Sequence, residues 1–305
     1  MSSLAARVSA VIPHYGNAEP TLALVQNLHA QVYEGDIEII ISDDNSPLPF
    51  PSIDGVRVVR RQKNGGFGQN VNTGVAKATG QWLIILNSDL EIDEYFVADM
   101  VSEAQKQAHA VLSPQVLGHD GIGQYVARKF PRTFFHAWNW FTPLARFRDT
   151  QWWHRYAGHD IRAESGKTVR TDWLMGACLM MPLSAFRQVG GFDDRFFMNS
   201  EEVDLQRRLK DAGYPAVFVG NVQVLHEGGG SSESSKRRQW LTESYFIYED
   251  KWARHKTLAP TLTAVSLLNL GFNSLRALRN SSVSPLKTFG EEITLIRQGK
   301  NKVYG

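Results

Sequence analysis

The chain has 305 residues with 33 Lys or Arg and 31 Asp or Glu, and a formal net charge of +2 leaves no surplus of cations for coating nucleic acid. Hydrophobic residues make up 43% and charged residues 21%, which is globular composition and excludes a disordered or collagen-like chain. The single cysteine, Cys178, excludes an intrachain disulfide and a Cys-rich zinc site, so the chain does not need an oxidising compartment.

The first third of the chain alternates strand-like and helix-like segments. Short apolar runs that end at Pro or Asp-rich turns predict strands, and apolar residues at spacings of three and four predict helices. In chain order the predicted elements are strand 8–12, helix 21–31, strand 37–41, strand 56–59, helix 69–77, strand 82–86 and helix 94–108. This alternation predicts an α/β fold with a mostly parallel sheet, whose ligands bind beyond the carboxyl ends of the strands.

The remainder of the chain is less regular. An aromatic and arginine-rich segment at 128–156 interrupts the alternation. The elements predicted after it are an apolar segment at 172–181, a short helix at 183–189, an acidic helix at 201–212, strands at 216–219 and 222–225, and a helix-like tail at 258–278. The tail is amphipathic and contains basic residues, which is also typical of helices that lie at a membrane interface.

Polar residues follow two of the predicted strands. Asp43 follows strand 37–41, where its carboxylate would accept a hydrogen bond from a base or a ribose. Asn87, Ser88 and Asp89 follow strand 82–86, where a carboxylate would hold a divalent cation that also binds a diphosphate. Turn formation explains each group alone, because Asp, Asn and Ser favour turns.

A glycine-rich segment precedes the second predicted helix. In Asn64–Asn70 the glycines would let a ligand approach the backbone, and the helix would offer its N-terminal N–H groups to an anion. The pattern is not a dinucleotide-binding fingerprint, because Val71 occupies the position of the third glycine and the segment follows the third strand. A dehydrogenase is therefore excluded, and a flexible turn is the alternative.

The second half of the chain adds carboxylates and a histidine. Glu201, Glu202 and Asp204 open the acidic helix after two phenylalanines, whose desolvating effect would raise the pKa of a general base. The helix macrodipole alone also favours an acidic first turn. His226 ends a strand, where it would be either a metal ligand or a structural residue.

The order and spacing of these features are typical of one family. The segments that carry the resemblance are Val8–Pro13, Asn64-Gly65-Gly66-Phe67-Gly68, Leu86-Asn87-Ser88-Asp89, Gly176-Ala177-Cys178, Gly190-Gly191-Phe192-Asp193, Glu201-Glu202-Val203-Asp204 and His226. Through them, residues 7–235 resemble the family 2 glycosyltransferases of the GT-A fold, and especially bacterial rhamnosyltransferase-like members. The resemblance implies a Rossmann-like fold in residues 1–235, with a nucleotide-binding half at 1–115 and an acceptor and catalytic half at 116–235. A helical C-terminal extension would occupy 236–305.

The resemblance implies a role for each matching residue. Glu202 is the expected base, with Glu201 as its substitute, and Asp89 and His226 are the expected ligands of Mn²⁺ or Mg²⁺. The residues expected to bind the nucleotide and donor are Pro13, Tyr15, Asp43, Asn64, Gly66, Asn70, Asn87, Ser88 and Asp89. Those expected near the donor sugar or acceptor are Asp172, Trp173, Gly176 and Asp204. Asn87 and Glu202 depart from the family pattern, which usually has Asp at both positions.

The implied reaction is a metal-dependent single displacement with inversion. It would move a sugar, first of all rhamnose from a dTDP-sugar, to a hydroxyl of a lipid-linked or cell-envelope glycan. UDP- and GDP-sugars are the next donors to consider. The alternative is a non-catalytic glycan-binding or scaffolding protein on the same fold. A nucleotidyltransferase is disfavoured, because Pro13-His14-Tyr15-Gly16-Asn17 replaces the lysine-bearing glycine loop of such enzymes.

The expected location is the cytoplasm. Residues 1–7 lack the apolar run of a signal peptide, and the chain contains no uninterrupted run of 18 apolar residues. The aromatic segment at 128–156 and the tail at 258–279 would contact the inner face of the cell membrane, the partner in a homodimer, or the protein's own core.

Overall fold

The structure, a computed structural model, describes residues 6–226 and 234–305, in which strands and helices alternate. The strands are β1 (Val8–His14), β2 (Ile37–Asp43), β3 (Val56–Arg60), β4 (Trp82–Leu86), β5 (Leu90–Glu91), β6 (Val111–Leu117), β7 (Ala127–Arg128), β8 (Thr168–Thr171), β9 (Trp173–Leu174), β10 (Cys178–Pro182) and β11 (Ala216–His226). The helices are α1 (Glu19–His29), α2 (Phe67–Val75), α3 (Phe96–Lys106), α4 (Thr133–Trp140), α5 (Gln151–Tyr156), α6 (Leu183–Gln188), α7 (Glu201–Asp211), α8 (Ser234–Trp252), α9 (Leu258–Ala277) and α10 (Pro285–Tyr304), with a 3₁₀ helix at Thr142–Phe147.

Nine of the described strands form one sheet in the order β3-β2-β1-β4-β10-β6-β11-β5, and β8 also pairs with β11. Strands β1 to β4, β6 and β11 run in one direction, while β5, β8 and β10 run in the other. The predicted α/β fold with a mostly parallel central sheet, flanking helices and C-terminal helices is confirmed.

The central parallel strands β1 and β4 consist mostly of apolar residues and are covered on both faces. All residues of β1 and β4 are buried, as expected for the centre of a parallel sheet. In register, His14 is the partner of Asp43, and Val11 is the partner of Ile85. The carboxyl ends of β1, β2 and β4 therefore lie at the same edge of the sheet.

The last strand differs from the prediction. The two strands predicted around Gly220 form one strand, β11, with an irregularity between Val219 and Gln223. The Gly220 N–H donates to the Lys167 carbonyl at 2.8 Å, and the Gly220 carbonyl accepts from Gly166 at 2.7 Å. Glycine often ends a strand, but here both backbone groups of Gly220 are hydrogen-bonded. Strand β11 therefore continues through a bulge at this point.

The packing of the described residues divides them into two units. The first, here called the sheet unit, contains the chain up to Arg128, Arg162–Phe197 and the chain from Glu201 to His226. The second, here called the helical unit, contains Lys129–Ile161, Met198–Ser200 and residues 234–305. Residues 129–161 thus pack with the C-terminal helices, although the sequence placed them within 1–235. The division into nucleotide-binding and acceptor halves stays a prediction.

The helical unit has its own apolar core, formed by Trp140, Phe246, Leu258, Leu262 and Ile296. The aromatic segment contributes to the interior of this unit through Trp140 and Trp153, which are buried, and to its surface through Phe134, Trp152 and Tyr156. Among the described residues, none of the helices combines the length and apolar character needed to span a bilayer.

Candidate active site

The turn after β4 and the end of β11 bring the side chains of Asp89 and His226 together. Strand β5 follows that turn and pairs with β11, so that Leu90 is the register partner of His226. The Asp89 Oδ1 atom lies 3.3 Å from His226 Nε2, and the Asn87 Nδ2 atom lies 3.4 Å from the same nitrogen. Three residues expected in donor and metal binding therefore meet at one point.

Gln124, which the sequence analysis did not identify, orients the His226 ring. Its Nε2 donates to the His226 carbonyl oxygen at 2.9 Å, which turns its Oε1 toward His226 Nδ1 at 2.8 Å. Because an amide oxygen only accepts hydrogen bonds, this contact favours the neutral tautomer of the ring that has its proton on Nδ1 and its lone pair on Nε2. The lone pair faces the Asp89 carboxylate. No sequence signal marks Gln124, since this contact joins residues 102 positions apart.

The atoms around His226 Nε2 fit a divalent cation. They comprise a carboxylate oxygen, an imidazole nitrogen and the Asn87 amide, whose Oδ1 is buried without a hydrogen-bond partner in the described part of the chain. A carboxylate oxygen with one imidazole nitrogen suits Mn²⁺, and Mg²⁺ accepts the carboxylate oxygen. Within residues 6–226 and 234–305 no cluster of three or more His, Cys, Asp or Glu is arranged to hold a metal. A bound diphosphate or water would complete the coordination shell.

The two base candidates at the start of α7 have different environments. Glu201 is only 4% exposed. Glu202 is half-buried and lies against Gly176, where an added Cβ would stand 3.4 Å from the Glu202 Cβ. Because Gly176 has no side chain, its backbone lies directly beside the Glu202 side chain.

Burial and the neighbouring Glu202 charge together hold the pKa of Glu201 well above its ordinary value. Burial is the larger cause, because a carboxylate loses its hydration without gaining donors. Two adjacent carboxylates in a site of this kind cannot easily ionise together. The arrangement therefore favours a proton on Glu201.

A backbone contact joins the Glu202 region to the Asp89–His226 pair. The Asn87 N–H donates to the Ala177 carbonyl at 2.8 Å, and Ala177 follows Gly176 in the chain. Strand β10 then pairs with β4 from Cys178 and Leu86 onward. The candidate base and the candidate metal ligands are thus connected through the turn between β9 and β10.

The carboxylates at the end of β2 are satisfied by the protein. Asp43 accepts from the backbone of Ser46 and Phe50 at 2.8 and 3.2 Å and from the Arg60 guanidinium. Burial raises the pKa of Asp43, but hydrogen bonds from Ser46, Phe50 and Arg60 outweigh it and hold this pKa below its ordinary value. Asp43 is fully buried. Asp43 thus shapes the loop after β2, and its expected contact with a base stays a prediction.

Asp44 performs a similar task for the glycine-rich segment. Its carboxylate accepts from the N–H groups of Gly65 and Gly66 at 2.9 to 3.1 Å and pairs with Arg61 at 3.1 Å. Burial raises the pKa of Asp44 despite these partners. The anion at the start of α2 is thus a side chain of the protein, whereas the sequence analysis expected a ligand there.

Gly66 is required for a close contact with the chain before α7. It has a φ of +83°, and an added Cβ would lie 1.9 Å from the Phe197 carbonyl oxygen, which accepts from Phe67 N at 3.1 Å. The glycine therefore serves protein packing. Asn64 is exposed and accepts from Gly66 N at 3.2 Å, whereas Asn70 is buried and donates to the His14 carbonyl at 3.3 Å.

The other residues expected around the donor differ in accessibility. Pro13 is buried at the end of β1, Tyr15 just beyond it is exposed, and Ser88 is half-buried beside Asp89. The side chains of Tyr15 and Ser88 are thus accessible to a ligand at the edge of the sheet where β1 and β4 end, whereas the Pro13 side chain is not.

Three of the residues expected near the sugar or acceptor have contacts within the protein. Asp204 is fully buried and accepts from Arg208 at 2.8 and 3.0 Å, and its expected sugar contact stays a prediction. Trp173 is buried, with the Arg128 guanidinium 5.3 Å from its ring centroid. Asp172 pairs with Lys210 at 3.0 Å.

The turn before α7 is strained. Asn199 and Ser200 have φ values of 70° and 63°, a left-handed conformation that residues with a Cβ adopt at a cost of about 1–3 kcal/mol each. Such strain concentrates at functional sites, and here it immediately precedes the two glutamates.

The chain matches glycosyl transferase family 2 over residues 9–165, slightly more than half of its length. The chain belongs to this family. As a family 2 glycosyltransferase, it is an enzyme that transfers a sugar, and the resemblance inferred from sequence motifs is confirmed.

Two relatives of this glycosyltransferase are named as rhamnosyltransferases. N-acetylglucosaminyl-diphospho-decaprenol L-rhamnosyltransferase of Mycobacterium tuberculosis is 29% identical over 219 residues, which cover 65% of this chain and 69% of that protein. Rhamnosyltransferase WbbL of Escherichia coli K12 is 25% identical over 254 residues, which cover 78% and 90%. These matches relate the glycosyltransferase to enzymes of polysaccharide biosynthesis.

A solved structure shares the fold. The mannosyltransferase PcManGT from Pyrobaculum calidifontis, in complex with GDP-Man and Mn²⁺, aligns with a TM-score of 0.59 at 14% identity. The alignment covers 99% of this chain and 88% of that one.

Proposed function

We propose that this glycosyltransferase moves rhamnose from dTDP-rhamnose to a hydroxyl of a lipid-linked glycan, with inversion and with Mn²⁺ or Mg²⁺. The observation that carries the proposal is the Asp89–His226 pair, in which a carboxylate oxygen and an imidazole lone pair face one another across 3.3 Å. The names of the two bacterial relatives support rhamnose, and the decaprenol in one of them supports a lipid-linked acceptor.

Asp89 and His226 would hold the divalent cation, with Asn87 beside them. When bound, the cation neutralises charge on the leaving diphosphate as a Lewis acid. Gln124 would orient the ring and favour the tautomer with its lone pair on Nε2, which is the nitrogen that would bind the metal. Tyr15 and Ser88 are the exposed or half-exposed groups at the strand-end edge that would contact the donor.

Glu202 would accept the proton of the acceptor hydroxyl. The hydroxyl has a pKa far above 7, so its proton must leave as the new glycosidic bond forms. Burial favours a proton on Glu201, so Glu202 is the carboxylate that we propose as the base. The proposed chemistry needs no protein nucleophile, so one displacement with inversion follows.

The lipid-linked acceptor implies that the enzyme works at a membrane surface, which we propose to be the cytoplasmic face. A homodimer stays a prediction. The non-catalytic alternative is not favoured, because the chain keeps both a base candidate and a cation pair in one connected region.

Calorimetry with dTDP, UDP and GDP, each with and without Mn²⁺, tests donor and metal together. We expect dTDP to bind most tightly and only with the metal. Equal affinity for dTDP with and without the metal would contradict the cation site. Tighter binding of UDP or GDP would contradict dTDP-rhamnose as the donor.

The base is tested by transfer of rhamnose to N-acetylglucosaminyl-diphospho-polyprenol. Glu202→Gln should keep metal-dependent donor binding and lose about 10²–10⁴-fold in transfer rate. The anomeric configuration of the product, read by NMR, tests inversion. Native transfer by Glu202→Gln together with inactive Glu201→Gln would move the base to Glu201.

A further inference from the structure

In the second half of helix α9, within the helical unit, polar residues are buried and leucines are exposed, which is the reverse of the usual arrangement. Ser266, Asn269 and Asn273 are buried. Four leucines of α9 and its C-cap, here called the leucine face, are 55%, 62%, 67% and 84% exposed: Leu267, Leu268, Leu275 and Leu278. At 100° per residue the two groups lie on opposite sides of the helix.

Hydrogen bonds inside the unit set this orientation. Trp140 Nε1 donates to Ser266 Oγ at 2.9 Å. The Asn269 amide donates to the Trp140 carbonyl at 3.0 Å and to Glu292 at 3.1 Å, and its oxygen accepts from Thr142 at 3.0 and 3.1 Å. Rotating the helix to bury the leucines would break these buried contacts. The leucine face is therefore held outward.

The charge of the helical unit identifies a partner for this face. Its described residues contain 17 Lys or Arg against 7 Asp or Glu, a surplus of 10 positive charges in a chain whose net charge is only +2. Residues 257–290, which include the leucine face, contain no Asp or Glu, whereas Arg276, Arg279 and Lys287 lie among them. Exposed leucines flanked by basic residues and lacking carboxylates suit an anionic lipid surface.

We propose that the leucine face inserts into the headgroup region of an anionic bilayer, with Arg279 and Lys287 contacting lipid phosphates. A second copy of the chain fits less well, because a symmetric contact through this face would bring two strongly positive units together. The exposed aromatic residues Phe134, Trp152 and Tyr156 of the same unit are of the type that favours headgroup depth. This inference rests on the helical unit and not on the proposed reaction.

Flotation of the purified full-length chain with vesicles tests the proposal. We expect binding to vesicles of phosphatidylglycerol and phosphatidylcholine, weaker binding at high salt, and little binding to phosphatidylcholine alone. The double variant Leu275→Ser/Leu278→Ser should lower the partition coefficient at least about tenfold, since it removes two inserted apolar side chains. Arg279→Gln/Lys287→Gln should reduce the salt dependence.

The control is Leu48→Ser, which changes a leucine that is 79% exposed in the sheet unit and should leave vesicle binding unchanged. Absence of binding to the anionic vesicles, or native binding by Leu275→Ser/Leu278→Ser, would overturn the proposal. The proposal would also be overturned if sedimentation without lipid showed a dimer of the native chain and a monomer of Leu275→Ser/Leu278→Ser. All variants should keep metal-dependent nucleotide binding, so a failed membrane contact is distinguishable from a failed donor site.

Discussion

At the end of β2, the carboxylates of Asp43 and Asp44 accept hydrogen bonds from backbone N–H groups, and each pairs with an arginine. At the end of β4, the Asp89 carboxylate instead faces the lone pair of His226 Nε2 at 3.3 Å. Both groups are carboxylates after parallel strands of one sheet. The first pair stabilises loops, whereas we propose that the second pair holds a cation.

Removing Asp89 should give the largest effect on ligand binding. Asp89→Ala takes away the carboxylate ligand, so metal-dependent donor binding should fall more than about 100-fold, beyond what loss of an outer-shell partner costs. Calorimetry with dTDP and Mn²⁺ measures this. The melting temperature should stay native, because Asp89 is partly exposed. A normal metal-dependent titration would place the cation elsewhere.

Removing Asp44 should act on stability instead. Asp44→Ala leaves two amide N–H groups and the Arg61 guanidinium without their carboxylate, which should lower the free energy of unfolding by about 3 kcal/mol. Urea unfolding followed by circular dichroism measures the change. Asp44→Asn keeps one acceptor oxygen and should recover part of the loss. Equal stability of Asp44→Ala and the native protein would contradict the comparison of the two strand ends.

The role of Gln124 sharpens the comparison at the β4 end. Gln124→Met removes the acceptor that keeps the proton on His226 Nδ1, so Mn²⁺ affinity should fall about tenfold, within the range for outer-shell partners of a metal ligand. Electron paramagnetic resonance of free Mn²⁺ in the presence of nucleotide gives the affinity. Gln124→Glu retains an acceptor at that position and should keep most of it. If both variants lose affinity equally, Gln124 supports only the local fold.

The smallest predicted effect concerns Glu201. Burial raises the pKa of this carboxyl in the folded protein, so the folded state binds a proton more tightly than the unfolded state. Stability should therefore fall as the pH rises from the ordinary Glu pKa through the raised folded value. Glu201→Gln removes this loss and should raise stability by about 1 kcal/mol at pH 8, where the native protein is most affected. Equal slopes of melting temperature against pH for the two proteins would refute this assignment.

Much of the fold was predictable because it depends on local patterns. The apolar runs of β1, β2 and β4, the start of α7 and the extent of α9 each have a signal within a few residues. Strand β6 had no such signal, since Pro114 in its middle lowers strand propensity. Pro114 is the register partner of Val219, next to the irregularity in β11. The backbone N–H that proline lacks is therefore missing where the hydrogen bonding between β6 and β11 is already interrupted.

The sequence by itself determined the α/β class, the family and the residues placed at the strand ends, because strand and helix periods and motif spacing are properties of adjacent residues. Only the tertiary structure decided which of those residues are already satisfied. The Gln124–His226 contact, the arginines that pair with Asp43 and Asp44, and the outward leucines of α9 all depend on partners distant in sequence. A hydrogen bond requires proximity and direction in space, and neither is written in the order of the residues.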